Sequence, residues 1–298
     1  MNIQQLRILQ EAARHNYNFT DVASALFTSQ SGVSKHIKDL EDELGIELFE
    51  RKGKRILGLT EPGQAVREYA DRILEDLQNI RRVADHFAQQ DSGHLVVATT
   101  HTQARYALTR VVAQFKQAFP QVELVLHQGS PAEIARMLVN GEADIGIATE
   151  GLADVEDLES YPFYDWHHAV IVPDGHALLS RSQITLADIA PYPIITYQAG
   201  YTGRTMIDES FRKAGLTPHI VLSALDADVI KAYVELGLGI GLIAPMAFDA
   251  QRDTGLQLLQ TPPLFGANHT RIAVKKDKFL RGYARAWIQM CNPDWAGV

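Results

Sequence analysis

The chain has 298 residues, 46% of them hydrophobic and 21% charged, and a formal net charge of −8. That length and apolar content predict two or three globular domains and exclude a disordered or fibrous chain. A single cysteine, Cys291, excludes an intramolecular disulfide and any multi-cysteine metal site.

Arg7, Glu11, Arg14 and Asp21 break up the first thirty residues, so no secretory signal is expected. The longest apolar run, Gly237 to Phe248, is too short to span a bilayer, and a cytoplasmic protein is the expectation. The acidic excess is unevenly placed. Residues 1–60 carry eight Lys/Arg and eight Asp/Glu, so all of the excess lies beyond residue 60, and "RKGKR" sets four cations in five residues within the neutral part. Net charge therefore does not exclude a nucleic-acid partner.

In chain order, Ile3, Leu6, Leu9, Ala12 and Ala13 fall at helical spacing and predict a first helix that fades in "RHNYN". Thr20 is an N-cap signal ahead of Val22, Ala23 and Leu26. After the break "TSQSG", Val33, Ile37, Leu40 and Leu44 form one apolar stripe stopped by Gly45. Two short helices around a tight break suggest a helix-turn-helix. Thr28, Ser29, Gln30, Ser31, Ser34 and Lys35, at the start of the second, are short or amide-bearing groups that suit base edges and phosphates. A small helical bundle with a polar helix end satisfies the same spacing. "LFERKGKRILGLT" predicts a β-hairpin around Lys52 and Gly53, with Arg51, Lys52, Lys54 and Arg55 placed to meet phosphates as a wing. A solvated charged hairpin is the bland alternative.

One long helix follows from Glu61 to Gln90. Val66, Ile73, Ile80 and Phe87 repeat every seven residues, with Ala70, Leu77 and Ala84 in the second apolar position. Thr60, Glu61 and Pro62 make a good start. Such a stripe needs a partner helix, and a homodimer is preferred to packing on the helix's own domain. Gln89, Gln90, Asp91, Ser92 and Gly93 read as a hinge.

Beyond residue 93, strand-like runs ("HLVVATT", "VELVLHQ", "ADIGIAT", "HAVIVP", "YPIITY", "HIVLSAL", "GIGLIAP", "TRIAVKK") alternate with helical ones at Arg105 to Ala118, Ala132 to Val139, Thr205 to Ala214, Ala227 to Leu236 and Leu280 to Met290. This predicts α/β units with a largely parallel sheet. Two lobes are expected, with the chain crossing near Tyr161 and returning near Phe265.

In open α/β sheets ligands bind beyond the carboxyl ends of strands, where helix N-termini offer N–H groups. Three strand ends carry donors: Thr99, Thr100, His101, Thr102 and Gln103; Thr149; and Tyr197 to Thr202. Neutral donors could hold a compact anion, and if few acceptors line the site, sulfate is favoured over protonatable phosphate. Each threonine alone is equally an ordinary strand end or cap. Enzymatic readings fare worse. Cys291 sits in the final helix as a packing residue. Asp165, His167 and His168 are too close in one strand to face one another. The chain has no G-x-S-x-G, G-x-x-x-x-G-K-[ST] or H-E-x-x-H. Gly237, Gly239 and Gly241 precede a strand and suggest close packing rather than a dinucleotide loop. No enzyme, metal or cofactor is expected.

"TSQSGVSKHIKDLEDELGIELFERKGKRILGLTEPGQ" resembles the N-terminal winged helix-turn-helix of LysR-type transcriptional regulators. The C-terminal part is similar to that family's two-lobed effector domain, which is related to periplasmic binding proteins. The resemblance implies a multidomain fold. Residues 1–60 would form an α-helical winged helix-turn-helix, 61–92 a dimerisation linker helix and hinge, and 93–298 a two-lobed α/β effector domain, with lobe I at 93–161 plus 266–298 and lobe II at 162–265. "TTHTQARYAL", "HQGSP", "IATE", "TGR", "AGLTP", "DADVIKAYVELGLGIGLIAPMA" and "FLR" are similar to the family's regulators of sulfur assimilation and cysteine biosynthesis. By that resemblance the interlobe cleft holds sulfate, a related sulfur anion or acetylserine through Thr100, Thr102, Gln103, Thr149, Trp166 and Thr202. Spacing alone does not single out Trp166. Promoter DNA, a homo-oligomer built as a dimer of dimers and RNA polymerase are the implied partners, with no membrane. Ser31 stands where close relatives have proline, "YQAGYTGR" departs around its threonine, and the chain ends at Val298, so a C-terminal tail contact is expected to be absent. A sister regulator of sulfonate use, sensing a sulfate-activated nucleotide, and a solute-binding module without DNA function stay open.

Overall fold

The computed structural model describes residues 1–53, 55–87 and 92–296, and the chain forms two compact units, Met1–Ala88 and Gln89–Val298. The first contains helices α1 (Ile3–Arg14), α2 (Phe19–Ala25) and α3 (Gln30–Leu44), the hairpin β1 (Phe49–Lys52) and β2 (Arg55–Leu59), and the long α4 (Glu61–Phe87). Ile8, Leu9, Val22, Val33, Ile37, Leu40 and Phe49 are buried together, so each amphipathic stripe read from the sequence faces one core.

Two helix starts differ from expectation. Asn18, not Thr20, caps α2, its side chain accepting the Thr20 N–H at 3.1 Å, because the cap oxygen must precede the orphan donors it serves. Ser29 caps α3 by accepting the Gly32 N–H at 3.1 Å, so Gln30, Ser31 and Gly32 are helical instead of belonging to the break. The left-handed Gly45 (φ 69°) ends α3 as expected.

The stripe on α4 divides. Val66, Ala70 and Leu74 pack on the helix's own domain, whereas Tyr69, Ile73, Ile80 and Val83 are exposed. An i, i+4 row winds across the helix, so one small domain covers only part of the apolar surface. The Phe87 side chain, Lys54 and the hinge residues Gln89, Gln90 and Asp91 lie outside the described set.

The second unit holds two five-stranded sheets. The first comprises β3 (Gly93–Thr99), β4 (Val122–Gln128), β5 (Ile145–Ala148), β6 (Leu158–Trp166) and β12 (Asn268–Lys275), in the order β4-β3-β5-β12-β6. The second comprises β7 (Ala169–Pro173), β8 (Pro193–Tyr197), β9 (His219–Ala224), β10 (Ile240–Ile243) and β11 (Leu256–Leu258), in the order β11-β7-β10-β8-β9. Both sheets are mixed: the parallel direction expected from the sequence holds for four strands of five, and one reversed strand in each gives two antiparallel pairings. The strand that runs against the other four is β12 in the first sheet and β7 in the second, each the first strand after the chain crosses between the lobes.

The crossing also falls later than Tyr161, since β6 stays in the first sheet as far as Trp166. Pro162 lies within this strand. It is tolerated because β6 is an edge strand, and a bulge opposite Thr270 and Arg271 absorbs the irregularity.

Alternating residues of the central strands face helices on both sides. Leu95 and Val97 meet α5 (Thr109–Ala118) and α10 (Gly282–Cys291), while Val96 and Ala98 meet α6 (Pro131–Val139). In the second sheet Ile194 packs toward α8 (Arg204–Lys213) and the short α7 (Leu186–Ile189), and Ile195 toward α9 (Ala227–Glu235). Cys291 is buried in the first of these cores with its thiol pushed up to about 12 by burial, which suits packing and not nucleophilic work. No helix among the described residues is long and apolar enough to cross a membrane.

Two of the three glycines of "GLGIGLIAP" serve close packing, whereas Gly237 has open space around it and a left-handed backbone, φ 76°. A Cβ on Gly239 would stand 2.3 Å from the Pro193 carbonyl oxygen, and one on Gly241 would stand 2.6 Å from Ile171. Gly239→Ala is expected to destabilise the effector unit by about 2 kcal/mol, in the range of overpacked cores, and differential scanning calorimetry of the full chain would show a lowered transition for that unit only.

Candidate functional site

In the first unit, Ser31, Ser34, Lys35 and Lys38 lie at i, i+3, i+4 and i+7 of α3, on a face distinct from the buried Val33, Ile37 and Leu40. Lys38 was not singled out by the sequence, although its helical spacing from Lys35 and Ser34 could have shown it. Thr28, Ser29 and Gln30 are exposed at the N-terminal end of the same helix. The Ser29 hydroxyl is already engaged, capping α3 and lying 3.1 Å from the Ser31 hydroxyl.

On the hairpin, Arg51 donates to Glu41 at 2.8 Å, while the other oxygen of Glu41 accepts the N–H groups of Leu48 (2.8 Å) and Phe49 (3.2 Å). One carboxylate thus ties α3 to the start of the hairpin. Lys52 is exposed beside the left-handed Gly53, whose φ is 64°. Lys54 and the Arg55 side chain are outside the described residues.

In the second unit Gln103, Thr149 and Trp166 join one hydrogen-bonded network, and Thr202 is reached through its backbone carbonyl. After β3 the chain enters a π-helical turn, Gln103–Ala107, where one continuous helix was predicted. The widened turn belongs to the segment that carries the site residues. Thr100, Thr102, Gln103, Trp166 and Thr202 are all buried, and Thr149 is half-buried.

The centre of the network is Thr270, on β12, which sequence reasoning missed. Its Oγ1 lies 3.0 Å from Trp166 Nε1, 3.3 Å from the Thr149 hydroxyl and 3.5 Å from Gln103 Nε2. A hydroxyl has one proton and two lone pairs. Accepting from the indole and the amide, Thr270 donates to Thr149 and leaves the Thr149 proton free for another acceptor. Tyr164 donates to Gln103 Oε1, which fixes the amide with its NH2 towards Thr270. The N–H of Trp166, one of the expected ligand residues, is engaged with Thr270 and orients that hydroxyl.

A second arm runs from Trp166 to Thr202. Asn268 shares a face of β12 with Thr270, and its amide nitrogen lies 3.5 Å from the Trp166 carbonyl and 3.2 Å from His168 Nδ1. His168 Nε2 lies 2.9 Å from the Thr202 carbonyl. A carbonyl can only accept, so Nε2 carries the proton and Nδ1 accepts from Asn268. Thr202 has φ 44°, a left-handed conformation rare for a β-branched residue, and its hydroxyl is buried without a partner among the described residues. The Thr102 hydroxyl forms no well-aligned hydrogen bond, though the Tyr197 phenol lies close enough to interact with it.

His101, unassigned from sequence, has a ring nitrogen within 4.8 Å of carboxylate oxygens of Asp226 and Asp228 at the start of α9. Asp228 is also held by Tyr106 (2.6 Å), Arg105 (3.0 Å) and Lys231 (3.4 Å), so this group is an interlobe ion-pair network and not an open ligand set.

The resulting site is a set of oriented hydroxyls, an amide and strand-end backbone between two lobes, and the same chain carries a separate winged helix-turn-helix unit. The model of the bacterial regulatory helix-turn-helix protein, lysR family, matches residues 3–64, and the model of the LysR substrate binding domain matches residues 88–296. The chain belongs to the LysR family of transcriptional regulators. It is therefore a regulator and not an enzyme. It is 59% identical to the HTH-type transcriptional regulator SsuR of Burkholderia cenocepacia, covering 98% of this chain and 95% of that protein. Identity to the regulator CysB of the same organism is 49%, covering 98% and 94%. The crystal structure of the cofactor-binding domain of the Cbl transcriptional regulator superposes with a TM-score of 0.68 at 47% identity, covering 70% of this chain and 91% of that one.

Two outcomes follow from the network. Thr270→Val keeps the shape but leaves the Trp166 indole and the Thr149 hydroxyl unsatisfied, so a loss of about 1–3 kcal/mol is expected, together with altered tryptophan fluorescence in the folded protein. Burial lowers the His168 imidazole from its ordinary 6.5 to about 4. Because the unfolded chain then binds the proton first, stability is full above about pH 6.5 and is lost as pH falls to about 4, by up to about 3 kcal/mol. Denaturation curves across this window should flatten in His168→Gln.

Proposed function

We propose that the protein regulates genes of sulfur acquisition, binding promoter DNA through α3 and the hairpin and sensing a small sulfur-containing anion between the effector lobes. The observation that carries this reading is a buried cluster in which Gln103 and Thr149 are oriented by Thr270 while the buried Thr102 and Thr202 hydroxyls keep unused hydrogen-bonding capacity among the described residues. Hydroxyls, an amide and strand-end N–H groups solvate a compact anion without a buried ion pair. The resemblance of the cleft motifs to sulfur-assimilation regulators supplies the ligand class: sulfate, thiosulfate or acetylserine. A sister regulator of sulfonate use, answering to a sulfate-activated nucleotide, is kept as the second reading because identity to SsuR (59%) exceeds that to CysB (49%).

In the DNA-binding role, Gln30, Ser31, Ser34 and Lys35 would reach base edges or phosphates, with Thr28 and Ser29 at the helix start. Lys52, and with it Arg51, Lys54 and Arg55, would lie along the backbone. The exposed Tyr69, Ile73, Ile80 and Val83 on α4 are the surface on which a second copy would pack, and a dimer of dimers acting with RNA polymerase in the cytoplasm completes the proposal. Closing the lobes around the ligand would shift the population of assembled states and so the geometry of bound DNA.

Calorimetric titration of the full chain with sulfate, thiosulfate, acetylserine and adenosine phosphosulfate should give heat with at least one of them, and heat with none would sink the ligand class. Lys52→Ala is expected to weaken binding to all DNA sequences alike and to lower the salt slope by about 1, as read by fluorescence anisotropy at several ionic strengths. Ile80→Glu should lower the assembly state in sedimentation without changing the thermal transitions of either unit.

A further inference from the structure

The donors described so far suit a bare anion, but the same wall of the cleft also carries two acceptors. Glu150, just beyond β5 in the first lobe, accepts the Gly203 N–H at the start of α8 through Oε1. Its other oxygen, Oε2, is buried and meets no donor among the described residues. Asn268 Oδ1 is in the same condition. It lies 2.0 Å from where a Cβ on Gly203 would stand, so only glycine fits there and the amide oxygen presses directly on the Gly203 backbone.

The orientation of that amide is determined. His168 must keep its Nε2 proton for the Thr202 carbonyl, its Nδ1 accepts from Asn268 Nδ2, and Oδ1 is left as the unpaired acceptor beside Gly203. Two acceptors without donors, one of them a carboxyl group, therefore flank one residue of the anion site. Buried acceptors left unmade cost free energy. A fully deprotonated tetrahedral oxyanion has nothing to give them and would be repelled by a charged Glu150.

We propose that Glu150 and Asn268 form a donor-reading subsite beside Gly203, so that the effector is an anion that also carries a hydroxyl or amino group, and that Glu150 sets this specificity. The inference rests on the reading of the cleft as an anion site and narrows its ligand from bare sulfate to a substituted sulfur anion. Burial holds the Glu150 carboxyl above its ordinary range, so a ligand ammonium or hydroxyl that pairs with it relieves the same desolvation. The Gly203 contact bridges the lobes, and a ligand donor on Oε2 would therefore be read at the point where the cleft closes.

A matched series of ethanesulfonate, 2-hydroxyethanesulfonate and 2-aminoethanesulfonate, with sulfate alongside, separates the two ideas in titrations of the full chain. The wild type is expected to bind at least one donor-bearing sulfonate about tenfold or more tighter than ethanesulfonate. Glu150→Gln keeps an oxygen for the Gly203 N–H but replaces the second acceptor with NH2. It is expected to abolish that preference for donor-bearing sulfonates over ethanesulfonate. Should E150Q not fold, Glu150→Asp, which withdraws the carboxylate by one methylene, is read in the same way. Sulfate binding with no preference in the wild type, a preference that survives in the variant, or an equal loss for every ligand would overturn the subsite. Failure of the wild type to bind sulfate and all three sulfonates would instead overturn the anion reading on which it stands.

Discussion

A single buried hydroxyl organises the effector site. Thr270 Oγ1 can donate once and accept twice, and three groups from different segments meet it: the indole of Trp166, the amide of Gln103 and the hydroxyl of Thr149. Its valence leaves little choice in how these groups point. Because the surroundings are buried, each misdirected polar atom would cost the desolvation of a group left unpaired. The donors are thus oriented before any ligand arrives, which is what a small anion without a counter-charge requires.

The same restriction extends across the cleft. Thr202 needs a left-handed backbone, its carbonyl needs the His168 proton, and His168 then sets the amide of Asn268. Burial keeps the imidazole neutral, so the chain of donors and acceptors has one direction only. Where that chain ends, at Gly203, the unpaired oxygens of Asn268 and Glu150 accumulate. Neither oxygen meets a donor among the described residues, which is the basis of the proposed donor-reading subsite. At the neighbouring edge of the cleft, Arg105 and Tyr106 reach Asp228 on α9, so ion pairs as well as the ligand wall link the lobes.

In the first unit the comparable constraint is the sharing of apolar surface on α4. Val66, Ala70 and Leu74 complete the winged core, and Tyr69, Ile73 and Ile80 are left outside it. One helix therefore finishes its own domain and still carries an exposed apolar stripe, the surface proposed for pairing. Glu41 plays a similar double part, capping the backbone at Leu48 and Phe49 while holding Arg51, so the hairpin is set relative to α3 by one carboxylate.

Much of this was legible in the residues alone. Helical periodicity placed α1 to α4 and the apolar face of each, the basic hairpin was marked by "RKGKR", and alternating strand and helix patterns announced a two-lobed α/β unit, because burial patterns repeat with the backbone period. The strand-end threonines and Gln103 were readable as donors for the same reason. What sequence could not reveal depends on partners far apart in the chain. The reversed strand in each sheet, β6 running through Pro162 to Trp166, and the contacts of Thr270, Asn268 and Glu150 are decided by which segments return beside one another. Local pattern determines which side of an element is buried. Only the tertiary fold decides which polar atoms meet there, and a hydrogen bond, unlike apolar burial, exists only when a specific donor finds a specific acceptor.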